Sequence, residues 1–128
     1  MKIISFAWTS DAFINNRKSV TRRKWKTRYA EMFKKGDICK AYDKSPRFGG
    51  KLIGYLKILK DPYRECISDM PDSDFEEEGF AYMQEHHQKI WGETPKFAFA
   101  NWKNSDDYYW VVRFKKIDRE KINEQTKS

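Results

Sequence analysis

Asn16-Arg17-Lys18-Ser19-Val20-Thr21-Arg22-Arg23 is the stretch that decides how the rest of this chain is read. Asn15-Asn16 closes a short helical segment, because asparagine tolerates the left-handed backbone that ends helices. Residues 17–23 read as a turn and then an extended segment dense in cations and hydroxyls. In an extended segment Lys18 and Thr21 face opposite ways; in a turn they converge. A lysine near a hydroxyl can act as its base if burial or other cations lower the lysine pKa. Arg17, Arg22 and Arg23 push in that direction. On charge alone, phosphate contact without chemistry is the simpler role for the whole block.

Upstream, Ile3 to Trp8 is a short apolar run that reads as a buried strand. Thr9 or Ser10 can cap a brief helix over Asp11 to Asn15. Downstream, a helix is expected from Trp25 to Lys34, with Trp25, Tyr29, Met32 and Phe33 on one side and Gly36 as its terminator. Asp37 to Asp43 reads as a strand, Ser45 to Gly50 as a turn-rich loop, and Lys51 to Leu59 as a strand with a bulge at Gly54. Asp61 to Pro71 reads as irregular.

Ser73-Asp74-Phe75-Glu76 fits a capping box, which predicts a helix from Asp74 to Ile90 with an acidic first turn. On its wheel Phe75, Gly79, Tyr82, Met83, His86 and Ile90 form the apolar stripe. Glu77 points away, and Glu76 and Glu78 flank the two edges, so the wheel does not choose between them. Gly79 inside a helix costs about 1 kcal/mol relative to alanine, which implies close packing against the backbone there. Lys96 to Trp102 alternates, with Phe97 and Phe99 on one face, and reads as a strand. Asn104 to Asp107 is a turn, and Tyr108 to Lys116 alternates again as the last strand. Ile117 to Ser128 is too polar to pack and is expected to fray. The expected fold is α+β, a small mixed barrel with helices at its mouth. It comprises one domain over residues 1–117 and a polar tail over 118–128.

The chain has 128 residues, enough for one core. Aromatics make up 16% and charged residues 35%, an aromatic content that argues against disorder. Cys39 and Cys66 match no metal or redox spacing and are expected as free buried thiols in a reducing compartment. No segment reads as a signal peptide or a membrane span, so a cytoplasmic protein without membrane contact is expected. His86-His87 makes no i, i+4 metal pair, and glycine-rich phosphate loops are absent, so neither metal nor cofactor is implied.

The formal net charge is +7, unevenly spread. Residues 1–64 carry 17 Lys and Arg against 5 Asp and Glu, and residues 65–128 carry 9 against 14. A half that basic is expected to attract polyanions. Aromatic Trp8, Trp25 and Tyr29 lie near or among the cations Arg17, Lys18, Arg22, Arg23, Lys24, Lys26 and Arg28. Stacking planes beside phosphate-binding cations are what single-stranded or flipped bases need. A protein–protein adaptor would need a large apolar patch, of which the sequence gives no sign, and a monomer is expected.

Ser5-Phe6 at the end of the first strand, the block from Arg17 to Arg23, Glu78-Gly79-Phe80, Trp102 and the strand Val111-Val112-Arg113-Phe114 together resemble the ASCH domain. The order and separation of these elements match over about residues 2–116. The family's basic block reads Gly-Arg-Lys-Thr-x-Thr-x-Arg or close to it. The departures here are Asn16 for the glycine, Ser19 for the threonine and extra basic residues from Arg23 to Arg28. The resemblance implies a PUA-like β-barrel with helices flanking a basic cleft that takes RNA or a modified nucleoside. Within the family are small amidohydrolases that deacetylate N4-acetylcytidine, and other members are RNA-binding modules or ribonucleases. By motif position the implied catalytic residues are Thr21 as nucleophile, Lys18 as its activator and Glu78 as general acid or base. Trp8, Arg17, Ser19, Arg22, Arg23, Lys24, Trp25 and Lys26 are the expected ligand-binding residues. The extra basic residues favour a polymeric ligand over a free nucleoside.

Overall fold

The computed structural model describes residues 1–126. Its organising element is a ten-residue strand, β6 (Tyr108–Ile117). β2 (Val20–Arg23) pairs antiparallel along one edge of β6, with Thr21 opposite Val112. β4 (Leu52–Ile58) and β5 (Tyr63–Cys66) follow one another along the other edge, both antiparallel. β3 (Ile38–Tyr42) pairs antiparallel with β4, and β1 (Ile3–Ser5) pairs parallel with β3. The path is β1-β3-β4-β6-β2 with β5 attached to β6, a six-stranded sheet in a mixed α+β fold. Among the described residues no ladder joins β1 to β2. Instead an Arg23 side chain from β2 donates to the Ser5 carbonyl at the end of β1. The expected bulge lies beside Gly54. Ala41 faces Gly54 but Tyr42 faces Leu52, which leaves Ile53 as the extra residue.

Two apolar clusters fill the molecule. Ile4, Phe6, Phe13, Phe33, Leu56, Ile58, Val112 and Phe114 pack on the sheet. Ala12, Ile67, Met70, Phe80, Met83, Ile90, Ala98 and Phe99 form a helical cluster. α1 (Ser10–Ile14) joins them, because its adjacent residues Ala12 and Phe13 enter different clusters. Cys39 and Cys66 are free, and burial pushes the Cys39 thiol up to about 11. Among the described residues no helix is long and apolar enough to cross a membrane.

Five sequence expectations are corrected. The helix expected over Trp25 to Lys34 is a single turn, α2 (Thr27–Ala30). Trp25 stacks on Phe33 at 4.6 Å, so ring packing rather than helix propagation orders this segment. The stretch read as irregular contains β5, which draws its order from β6 and not from its own polar composition. Lys96 to Trp102 belongs to a helix, α5 (Pro95–Lys103), with Pro95 in its first turn and the Thr94 hydroxyl accepting from Phe97 N–H. Its buried face is Pro95, Ala98 and Phe99, spacing of three and four, while Phe97 points to solvent. The segment expected to fray forms α6 (Arg119–Thr126), with Ile122 buried. Residues 127–128 of that expected tail lie outside the described residues.

The fifth correction positions the site. The helix expected from Asp74 to Ile90 is broken into α3 (Asp74–Glu77) and α4 (Phe80–Glu85) by Gly79, whose φ is +95°. That value belongs to the left-handed region that glycine alone adopts at little cost. A Cβ at Gly79 would lie 2.7 Å from the Ala12 Cβ, so α1 packs directly on this backbone. The close approach anticipated at Gly79 is real, but it comes with a turn rather than a continuous helix. The turn points Glu78 inward, where it is buried. Gly79→Ala therefore combines a left-handed backbone with a steric overlap and should destabilise the fold by about 2–5 kcal/mol. A urea-unfolding midpoint unchanged from wild type would contradict this placement.

Candidate functional site

Where the edges β1 and β2 approach without pairing, an open cavity of about 470 Å³ indents the surface. One wall is the Ser5–Thr9 segment that leaves β1. The floor is Lys18, Thr21, Arg22 and Arg23 with Glu78 from the turn before α4. The other walls are Phe80, Ile90, Trp91, Trp102 and Tyr109. The site is thus built by strand ends and helix turns rather than by one continuous element.

Glu78 lies at the centre of the floor. Lys18 Nζ is 3.1 Å from its Oε1 and donates also to its backbone carbonyl at 2.8 Å. Arg22 Nη1 donates to Glu78 Oε2 at 2.9 Å. The same guanidinium reaches Glu65 at 2.8 Å and the buried Asp74. Arg113 then binds Asp74 at 3.0 Å and Glu77 at 2.9 Å. The result is a buried network of alternating charge drawn from four parts of the chain. Such groups are tolerated in a low-dielectric interior only when paired. Among the described residues, Arg22 Nε is the one buried side-chain nitrogen or oxygen without a hydrogen-bond partner.

Burial strips hydration from the Lys18 ammonium and holds its pKa below the ordinary value. Glu78 opposes that shift, and the positive charges of Arg23 and Arg22 reinforce it. For Asp74 burial works against the charged form. Hydrogen bonds with Arg113, Glu77 and Arg22 outweigh burial and keep its pKa below the usual carboxylate range.

Arg23 differs from its neighbours. Its Nε donates to Thr21 Oγ1 at 3.1 Å and an Nη donates to the Ser5 carbonyl. Its guanidinium sits 5.8 Å from the Phe6 ring centroid. Among the described residues no carboxylate pairs with it, and burial lowers its pKa from the ordinary value. It therefore brings unspent N–H donors and positive charge to the cavity. The Thr21 hydroxyl accepts from Arg23 and keeps its own proton to donate.

The geometry brings Lys18, Thr21 and Glu78 to one cavity, together with Trp8, Arg22, Arg23 and Lys24. It also separates Glu78 from Glu76, which the helical wheel did not. Glu76 turns outward and pairs with Arg17 at 2.8 Å. Four expected ligand residues do not line the cavity. Arg17 forks between Glu76 and Glu85. Ser19 contributes its backbone N–H to the Glu77 carbonyl. Trp25 is spent on Phe33, and Lys26 is exposed away from the mouth. Trp91 and Tyr109 were missed. Trp91-Gly92 carries a turn signal that the overlong helix obscured, and Tyr109 belongs to a strand whose inward face is set by its pairing.

Part of the charge asymmetry resolves as internal pairing. Arg17, Lys18, Arg22 and Lys24 from the basic half each meet carboxylates of the acidic half. Arg23 lines the cavity without an ion-pair partner, and the charge of Glu78 reaches it only at longer range.

Compared with models of protein families, the chain matches none, and no curated protein matches its sequence. It is similar in structure to protein EF3133 from Enterococcus faecalis, a DUF984 protein, with a TM-score of 0.58 at 15% identity. The superposition covers 91% of this chain and 80% of that one, and it shows a shared fold.

Asp74→Asn breaks the network at its buried hub, leaving Arg22 and Arg113 poorly compensated. It should cost about 3–5 kcal/mol at neutral pH. Because the folded-state pKa of Asp74 lies below the unfolded one, its contribution is complete above the ordinary value of 3.8 and is lost as pH falls through the folded-state value. Denaturation series should therefore show the gap between wild type and variant narrowing in acid. A gap that is constant with pH would exclude a charged Asp74.

Proposed function

We propose that the cavity receives a nucleobase-bearing ligand, an RNA or a modified nucleoside, in an ASCH-type, PUA-like domain. The carrying observation is the convergence of Lys18, Thr21 and Glu78 with an unpaired Arg23 in one aromatic-walled cavity. A base offers flat faces to the aromatic walls and carbonyl oxygens or ring nitrogens to donors below. Arg23 supplies such donors, and its charge suits a carbonyl or phosphate oxygen equally. The sheet supports the barrel part of this reading, since its free edges approach one another at the Arg23–Ser5 hydrogen bond.

A second reading, hydrolysis of an N4-acylated cytosine, is favoured by Lys18, Thr21 and Glu78 lining one cavity, where burial holds the Lys18 amine below its ordinary pKa. In that reaction the neutral Lys18 amine takes the Thr21 proton as Oγ1 bonds to the acyl carbon. The C–N bond to the exocyclic nitrogen then breaks, and the departing amine takes a proton from the Glu78 carboxyl or the Lys18 ammonium. Water hydrolyses the acyl-threonine and restores the hydroxyl. In the structure Lys18 is ion-paired with Glu78 at 3.1 Å and Thr21 Oγ1 accepts from Arg23, so this route requires Lys18 to lose its proton and reach Thr21 before the attack.

Thr21→Val keeps the shape and removes the hydroxyl. The wild type should bind N4-acetylcytidine saturably and release acetate, and the variant should bind without turnover. Binding without acetate release by the wild type would leave a binding module. Equal rates in wild type and variant would remove Thr21 from the chemistry. No binding of N4-acetylcytidine or single-stranded RNA would contradict the proposal as a whole.

A further inference from the structure

Two tryptophans stand at the cavity in a way that the fold itself does not require. Trp8 is 56% exposed and Trp91 62% exposed, although both line the cavity. Among the described residues neither indole contacts another aromatic ring, whereas Trp25 stacks on Phe33 and Trp102 on Phe80. Each is displayed by backbone in an unusual conformation. Trp91 has φ +53° and Gly92 φ +78°. Ile90 and Glu93 exchange both backbone hydrogen bonds across them at 2.9 Å. That is a two-residue turn with positive φ at both central positions, which favours asparagine or glycine at the first of them. A tryptophan there is strained. Ile90 is buried in the helical cluster and anchors the turn.

On the Ser5–Thr9 wall of the same cavity, Ala7 has φ +49° and immediately precedes Trp8. Ala7 N–H donates to the Asp43 carbonyl at 2.8 Å, and the Thr9 hydroxyl donates to the Phe6 carbonyl at 3.1 Å, so both sides of Trp8 are pinned. Four non-glycine residues have positive φ among those described, and two of them, Ala7 and Trp91, line this cavity. Exposed indoles on strained backbone reduce the stability of the free protein. Strain of this kind collects where a ligand is held.

We propose that Trp8 and Trp91 form a stacking clamp that holds one unstacked base between them and presents its edge to the floor of the cavity. This rests on the nucleobase reading of the cavity and adds the ligand class. The ligand carries a base with both faces free, as in a free nucleoside or a single strand, and a base inside a duplex is excluded. Stacking on an indole accepts any base, so the clamp supplies affinity while the floor reads identity.

The test uses N4-acetylcytidine, a single-stranded RNA oligonucleotide and its duplex as probes against wild type, Trp8→Ala, Trp91→Phe and Trp91→Asn. Trp8→Ala and Trp91→Asn should each weaken N4-acetylcytidine and single-strand binding about tenfold or more. Trp91→Phe should keep most of the affinity. Because asparagine suits the turn, Trp91→Asn should also raise the thermal midpoint of the free protein, an effect opposite to that of losing a structural contact. Unchanged affinity in both Trp8→Ala and Trp91→Asn, or equal binding of single strand and duplex, would overturn the clamp and leave the cavity reading standing. No binding of any probe by the wild type would overturn both.

Discussion

A carboxylate buried between two buried cations holds this molecule in register. The side chains of Glu78, Lys18 and Arg22 are 4%, 2% and 0% exposed. They come from the turn before α4, the segment leading into β2, and β2 itself. Removing three charges from water is costly, and apolar side chains of similar volume would serve stability as well or better. The network therefore does something that hydrophobic packing does not. It fixes where the β2 edge of the sheet lies against the broken helix, and it places an ammonium, a carboxylate and a hydroxyl-bearing strand around one cavity. Gly79 is the steric condition for this arrangement, since its backbone lets α1 approach while the preceding residue turns inward.

Charge compensation also changes the meaning of the sequence's polarity. A chain with a basic first half and an acidic second half invites the view that one end waits for a polyanion. In the folded molecule four cations of the basic half, Arg17, Lys18, Arg22 and Lys24, pair with carboxylates of the acidic half, two of them at the cavity floor. One further feature of the cavity is a half-buried guanidinium, Arg23, with no carboxylate in ion-pair contact, among aromatic rings. The proposed ligand, one flat acceptor-bearing group, rests on that combination.

The legible parts of the fold were those with strong local patterns. β1, β3, β4 and β6 carry apolar or alternating runs, and paired asparagines close α1, although the hydroxyl cap expected at its start is not made and the Thr9 hydroxyl donates to the Phe6 carbonyl instead. The Lys18, Thr21 and Glu78 set came from the motif resemblance, and the wheel alone left Glu76 in contention until the Arg17 pair removed it. Other parts were hidden because their order is tertiary. β5 is polar and exists because β6 offers a free edge. α5 imitates a strand through Phe97 and Phe99, yet its cap and its three-and-four spacing bury Ala98 and Phe99. The turn at Trp91 was concealed by extending the helix across Gly79 and through Ile90. The last of these misreadings kept a cavity residue, Trp91, out of view.

The central claim is that this cavity is where a base binds. The protein has five tryptophans, and Trp8, Trp91 and Trp102 line the cavity while Trp25 and Trp110 do not. Titrating N4-acetylcytidine into nitrogen-15-labelled protein reports on all five indole N–H groups at once. If the base enters here, the resonances of Trp8, Trp91 and Trp102 shift together and saturate with one dissociation constant, while those of Trp25 and Trp110 stay in place. Saturable shifts at Trp25 or Trp110 with the three cavity indoles unmoved would contradict it.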